Sequence, residues 1–345
     1  MKTGLKKIAA LVGIATFGMM AMSGSAWAQA LEKQKVSIAV GGKNLFYYLP
    51  LTIAEQQGYF KDEGLQVEIS DFAGGAKALQ ALVGGSADVV SGAYEHTINM
   101  QSKGQMITAF VLQGRAPQIV FGVSTKTMPN FKSIADLKGK KIGVTAPGSS
   151  TNIVANFVLA KGGLKPSDVS FIGVGTAAGA LSAMRSGQID AISNLDPVVT
   201  MLEEKKDIKV IADTRTLKDT NDLFGGPMPA ATLYTTEAFL KKNPNTSQAL
   251  TNAMVRALKW LQTAGPSDII KVVPESYQLG DRALYLATFT KVREALSPDG
   301  RFPEAGPQTA LKTLQAFEPD LAGKPIDLSK TFTNELVKNA NAKFK

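Results

Sequence analysis

The stretch "FAGGAKALQALVGGSADVVS", Phe72 to Ser91, returns as "VGTAAGALSAMRSGQIDAIS", Val174 to Ser193, at a constant offset of 102 residues and without a gap. Ala78-Leu79 falls on Ala180-Leu181, Gly85 on Gly187, Asp88 on Asp190 and Ser91 on Ser193. In the first copy a helical pattern over Ala76 to Val83 turns Leu79, Leu82 and Val83 to one side, then passes through a Gly-Gly break into the apolar strand "ADVVS". Ahead of it, "LQVEIS" alternates Leu65, Val67 and Ile69 as a strand does. The second copy supplies "DVSFIGV", "AGALSAM" and "IDAIS" in the same order, and each copy follows an earlier strand, loop and helix. The chain therefore reads as two βαβαβ units, which predicts two α/β lobes, each a mostly parallel sheet flanked by helices.

In open parallel sheets a ligand sits beyond the carboxyl ends of the strands. Four strand-to-helix loops qualify: Gly41 to Tyr48 and Ser91 to His96 in the first lobe, Pro147 to Asn152 and Asn194 to Pro197 in the second. A ligand held by all four lies in a cleft between two jaws. "VFGVSTKTMPNFKSIADLKGKK" leads from the first lobe into the second and "FGGPMPAATLYTTEAFLKKNP" leads back, so lobe 1 is expected over 31–121 with 231–345 and lobe 2 over 122–230. "SQALTNAMVRALKWLQ" spaces Leu250, Met254, Leu258 and Leu261 as the buried stripe of a helix laid on the first lobe.

The first thirty residues carry Lys2, Lys6 and Lys7, an apolar run from Ile8 to about Met22 and the small-x-small site Ala26-Trp27-Ala28. These are the parts of a secretory signal peptide, expected over 1–28, with a second possible cut after Ala30. The run is too short to span a bilayer comfortably. No cysteine occurs, which excludes a thiol nucleophile, a thiolate metal site, an iron–sulfur cluster and a lipidated cysteine. Removal of the three signal lysines lowers the net charge from +9 to +6, and no basic stripe with interleaved aromatics suggests nucleic acid. The expected setting is the periplasm, as a soluble and monomeric protein.

The ordered segments "IAEQQGYFKDEGLQVE", "LVGGSADVVSG", "IADLKGKKIGVTAPGSST", "SGQIDAISNLDPV" and "EAFLKKNP" resemble the solute-binding proteins of ABC importers. The branch is that of aliphatic sulfonates, taurine and nitrate, which also includes binders of thiamine pyrimidine precursors. The resemblance covers Val36 to about Pro244. It implies the two-lobed (type II) periplasmic binding-protein fold with two crossings, no cofactor, a small organic anion of sulfonate or carboxylate type as ligand, and separate permease and ATPase subunits as partners.

Ser149, Ser150 and Thr151 bring hydroxyls to a helix start whose free amides and dipole favour an anion, although Ser and Thr are also ordinary helix caps. Asn194 and Asp196 lie in "NLDPV", similar to the family's W-D-P turn, with Leu195 in place of Trp. Asp196 either caps the helix that follows or accepts a hydrogen bond from a ligand. In the first lobe Asn44, Tyr47, Tyr48, Ser91, Tyr94 and Glu95 border the cleft loops, and the tyrosines either stack on a ligand or pack as staples. These aromatics and the absent Trp favour a bulkier ligand, such as an aromatic carboxylate. Arg115 could pair with an oxyanion or hold a hinge salt bridge. His96 is the only histidine, so a hydrolase triad would depend on it alone, and no catalytic residue or metal ligand is assigned. A sensing subunit would share the same cleft, and a binding-protein-fold enzyme is the third reading.

Overall fold

Strands and helices alternate along the chain as the repeat predicts, and each half closes into its own five-stranded sheet. The computed structural model describes Ala30–Lys345, so the expected signal segment lies outside the described residues. The first half runs β1 (Lys35–Val40), α1 (Leu49–Gln56), β2 (Gln66–Asp71), α2 (Gly75–Val83), β3 (Val89–Ala93), α3 (Glu95–Gln101) and β4 (Ile107–Leu112). The second runs β5 (Ile119–Ser124), β6 (Lys141–Val144), α4 (Ser150–Lys161), β7 (Ser170–Gly173), α5 (Ala178–Ser186), β8 (Ala191–Leu195), α6 (Val198–Glu204) and β9 (Ile208–Asp213). After it come β10 (Ala231–Thr236), α7 (Pro244–Thr263) and α8 (Arg282–Val292).

The strand orders are β2-β1-β3-β10-β4 and β7-β6-β8-β5-β9, the same pattern twice. In each sheet four strands point one way, and the strand that follows a crossing is inserted antiparallel between the last two. Each sheet is therefore mixed, with its parallel strands ending at the same edge from which the crossings leave. β5 pairs wholly within the second sheet, so the expected boundary at 121/122 falls inside a strand and the crossing is complete before Ile119.

β3 is buried along its whole length, as a strand covered on both faces should be. On α2 the buried side is Ala78, Ala81 and Leu82. Val83, expected in the core, is 48% exposed, because the small alanines let the helix lie close to the sheet and turn its last position outward. Leu250, Met254, Leu258 and Leu261 of α7 are all fully buried, and α7 packs on α1. No helix of the described residues is long and apolar enough to cross a membrane.

One close approach fixes the first cleft loop. Gly41, at the end of β1, meets the start of α2 so closely that an added Cβ would lie 2.2 Å from the Gly75 nitrogen. Backbone cannot step aside as a flexible side chain can. Gly41→Ala is therefore expected to cost about 3 kcal/mol, the upper end for overpacking, measured as a lower urea midpoint at unchanged slope.

Candidate functional site

Four pairs of groups meet across the two sheets' facing edges. Asn44 donates through Nδ2 to the Thr176 carbonyl at 2.9 Å and accepts from the Thr176 hydroxyl at 3.1 Å. The Ala76 amide, in the first turn of α2, donates to Ser149 Oγ at 3.0 Å. Tyr47 OH faces the Ser150 hydroxyl, and His96 Nε2 faces the Gly148 backbone, both short of a formed hydrogen bond. Gly74 permits this contact, since a Cβ there would lie 2.8 Å from Ala146 Cβ. The starts of α2 and α4 thus meet, and the positive ends of their dipoles make one electropositive junction.

Around that junction lie buried polar groups with free atoms. Tyr47 OH, Glu95 Oε2, His96 Nε2 and Asn152 Nδ2 are all inaccessible and lack a hydrogen-bond partner. His96 Nδ1 is held by Tyr234 OH at 2.9 Å, and the Tyr47 and Tyr48 rings meet edge to face at 4.8 Å between centroids. Glu95 raises the pKa of Tyr47, Tyr48 and Tyr234, after the larger effect of burial. Those hydroxyls remain neutral donors. Burial also pushes the Glu95 carboxyl up to about 7, against its own backbone amide. It pushes the His96 imidazole down to about 4, while the Gly148 backbone pulls the other way. No lysine or arginine of the described residues joins these contacts, so a ligand's charge would be met by amides, hydroxyls and Glu95.

Of the residues singled out from sequence, Asn44, Tyr47, Ser149 and Ser150 lie in this seam, with Tyr48 and Glu95 just behind it. Ser149 occupies the cap position of α4, yet its hydroxyl serves the other sheet's Ala76 instead of its own helix. The Thr151 hydroxyl is turned inward, on the Thr145 amide and hydroxyl. Ser91 is tied to Gln113 at 2.9 Å within the first sheet. Tyr94 packs on Phe302 and shares a 2.5 Å hydrogen bond with Thr331, so it is a core residue. Asn194 braces its own turn through Gly175 O and the Leu195 amide. Arg115 lies on the Glu294 and Ala295 carbonyls, outside the seam.

Asp196 anchors the helix that follows it. Its Oδ1 accepts from the Thr200 amide and hydroxyl at 2.9 and 2.7 Å, which tethers the first turn of α6. Its Oδ2 lies 3.6 Å from buried Arg215 with no hydrogen bond. Arg215 is also paired with Glu203 and Asp213 at 2.6 and 2.5 Å. Sequence reasoning set His96 aside and passed over Ala76, Thr176, Asn152 and Tyr234. The helix-start spacing could have flagged Ala76 as the partner in the first lobe of the Ser149 loop.

A groove of about 650 Å³ lies at the opposite ends of β1 and β2, among Lys35, Phe60, Leu65 and Gln66. Of its acids, Asp88 is already engaged by Lys33 and Ser37, and Glu55 by Lys43. The seam, where polar atoms are buried and unpaired, is the stronger candidate.

This two-lobed α/β arrangement is that of periplasmic solute-binding proteins. Residues 29–273 match the NMT1-like family, and the chain belongs to it. A solved protein of Bordetella bronchiseptica RB50 is 66% identical, with a TM-score of 0.90 over 92% of this chain and 99% of that one. The alkanesulfonate-binding protein SsuA of Xanthomonas axonopodis pv. citri, bound to MOPS, shares the fold at 20% identity and a TM-score of 0.66, over 88% of this chain and 100% of that one. YtlA of Bacillus subtilis, provisionally named a binding protein, is 25% identical over 82% of this chain and 83% of its own. The 4-amino-5-hydroxymethyl-2-methylpyrimidine phosphate synthase THI13 of Saccharomyces cerevisiae is 24% identical over 67% of this chain and 68% of its own.

The two buried titrating groups oppose each other. A glutamate titrating at 4.5 when unfolded and near 7 when folded contributes stability below 4.5 that is lost as pH rises through 7. A histidine lowered from 6.5 to about 4 contributes stability above 6.5 that is lost as pH falls through 4. Each slope approaches about 1.4 kcal/mol per pH unit, so between them they largely cancel in the parent. Urea denaturation from pH 5 to 6.5 should show stability rising with pH in Glu95→Gln and falling with pH in His96→Gln.

Proposed function

We propose that this protein is the solute-capturing component of an ABC-type importer, which closes its two jaws over a small organic anion in the periplasm and delivers it to a membrane permease driven by a separate ATPase. The observation that carries this reading is the set of cross-jaw contacts shut over buried, unpaired polar atoms. Such atoms are costly unless a ligand completes them. The junction of the α2 and α4 starts favours an oxyanion, with the Ser150 and Tyr47 hydroxyls as donors. Protonated Glu95 would add a further donor, while its ionised form would repel the ligand. A sulfonate or carboxylate fits these donors, and the tyrosines leave an apolar wall for its organic part. The protein acts as a monomer in this reading.

Catalysis is favoured by one observation, a Glu95 titrating near 7 beside His96, in the range suited to general acid–base work. Against it, His96 is held neutral and its Nδ1 is committed to Tyr234. Product formation from a bound solute would establish catalysis in place of capture.

A thermal-shift screen of the mature protein against alkanesulfonates, nitrate and aromatic carboxylates tests capture directly. A ligand at a hundred times its Kd should add about 2.7 kcal/mol of stability. For an anion, calorimetric affinity should fall as pH rises above 7, by up to about tenfold per unit, because binding needs Glu95 protonated. A cationic solute would give the opposite slope. Ser150→Asp should weaken an anion by about tenfold or more while the protein remains folded.

A further inference from the structure

The first crossing between the sheets contains a residue that local structure does not explain. Gln118 has φ of +58°, in the left-handed region that glycine and asparagine fill far more readily. It is 1% exposed, and both carboxamide atoms, Nε2 and Oε1, are buried without a partner. Its backbone amide is already satisfied by the Thr214 carbonyl at 3.0 Å, so the turn itself makes no demand on the side chain. A long polar side chain held in a disfavoured conformation and unpaired at both ends marks a position kept for something other than stability.

Its place in the fold says what that is. Ile119 pairs with Leu195 as the last rung of the antiparallel ladder of β5 and β8, and Gln118 is the residue immediately before it, where the first crossing enters the second sheet. This is the edge of the second sheet from which the crossing leaves, the edge that faces the other jaw. Gln118 thus holds a free amide N–H pair and a free amide oxygen at the hinge end of the cleft.

We infer that Gln118 reads the end of the solute remote from its oxyanion, and that this end carries a hydrogen-bond donor next to an acceptor, as a carboxamide, a hydroxy acid or an amino-substituted heterocycle does. The inference rests on the reading of the cleft as a solute site. It makes the solute bifunctional: one end meets the helix starts, the other the crossing. An acceptor-only ligand such as a plain alkanesulfonate would leave Gln118 Oε1 unpaired.

The test compares the mature parent with Gln118→Met, which keeps the length but removes both polar atoms, and Gln118→Glu, which keeps the shape but loses the donor. Ligand-free melting temperatures are measured first. Native mass spectrometry then follows uptake from the small-molecule ultrafiltrate of yeast extract. Gln118→Met is expected to melt no lower than the parent, because the carboxamide has no partner to lose. Both variants are expected to take up the parent's bound mass about tenfold less readily. A ligand-free Gln118→Met that melts several degrees lower shows a structural partner and overturns the inference, as does parental uptake by both variants. If the parent itself takes up no mass, solute capture is what fails, and the melting comparison still decides whether Gln118 is unpaired.

Discussion

Everything at the seam follows from the cost of taking polar groups out of water. Glu95, His96, Tyr47 and Gln118 are all almost completely buried, and each retains an atom that nothing in the chain satisfies. A core would replace such groups with apolar ones of the same shape, at little cost or with a gain. Their retention along facing edges makes the closed arrangement incomplete by itself. In the proposed reading a bound solute would supply the missing partners and so tie closure to occupancy. The pKa directions express the same constraint: burial holds the carboxyl protonated to about 7 and the imidazole neutral to about 4.

The fold brings these groups together by simple means. Parallel strands all end at one edge, so the loops and helix starts that follow them collect there. Gly41 and Gly74 let the first sheet's loop and α2 come within contact of their neighbours, where any Cβ would collide. Two helix starts then face each other across the seam, joined by the Ala76 amide and the Ser149 hydroxyl. That pairing explains why Ser149 forgoes the ordinary capping bond on its own helix.

On the second jaw, rigidity comes from charge. Arg215 is 1% exposed and is surrounded by Asp196, Glu203 and Asp213, which gather β9, α6 and the turn before α6 onto one cation. Burial favours the neutral form of Asp196 and raises its pKa, while Arg215 opposes the change. Removing the arginine would leave three acids facing one another, so the network holds as a unit. Arg115, the cation that sequence alone made prominent, lies on carbonyls of the segment after α8 and takes no part.

The 102-residue repeat determined by itself that the chain builds one βαβαβ unit twice, because hydrophobic periodicity and glycine breaks are local signals that burial then obeys. The buried stripe of α7 and the hydroxyl-rich start of α4 were legible for the same reason. Val83 was misplaced because the pattern could not show that Ala78 and Ala81 bring α2 close to its sheet. Only the tertiary structure decided which polar residues share a site. Tyr94 and Tyr47 look alike in sequence, yet Thr331 draws one into the core while the other faces Ser150 across the seam. Gln118 carries no motif at all. It becomes conspicuous only when the fold buries it at the start of β5 with both amide atoms empty, since an unpaired atom is a property of surroundings assembled from distant parts of the chain.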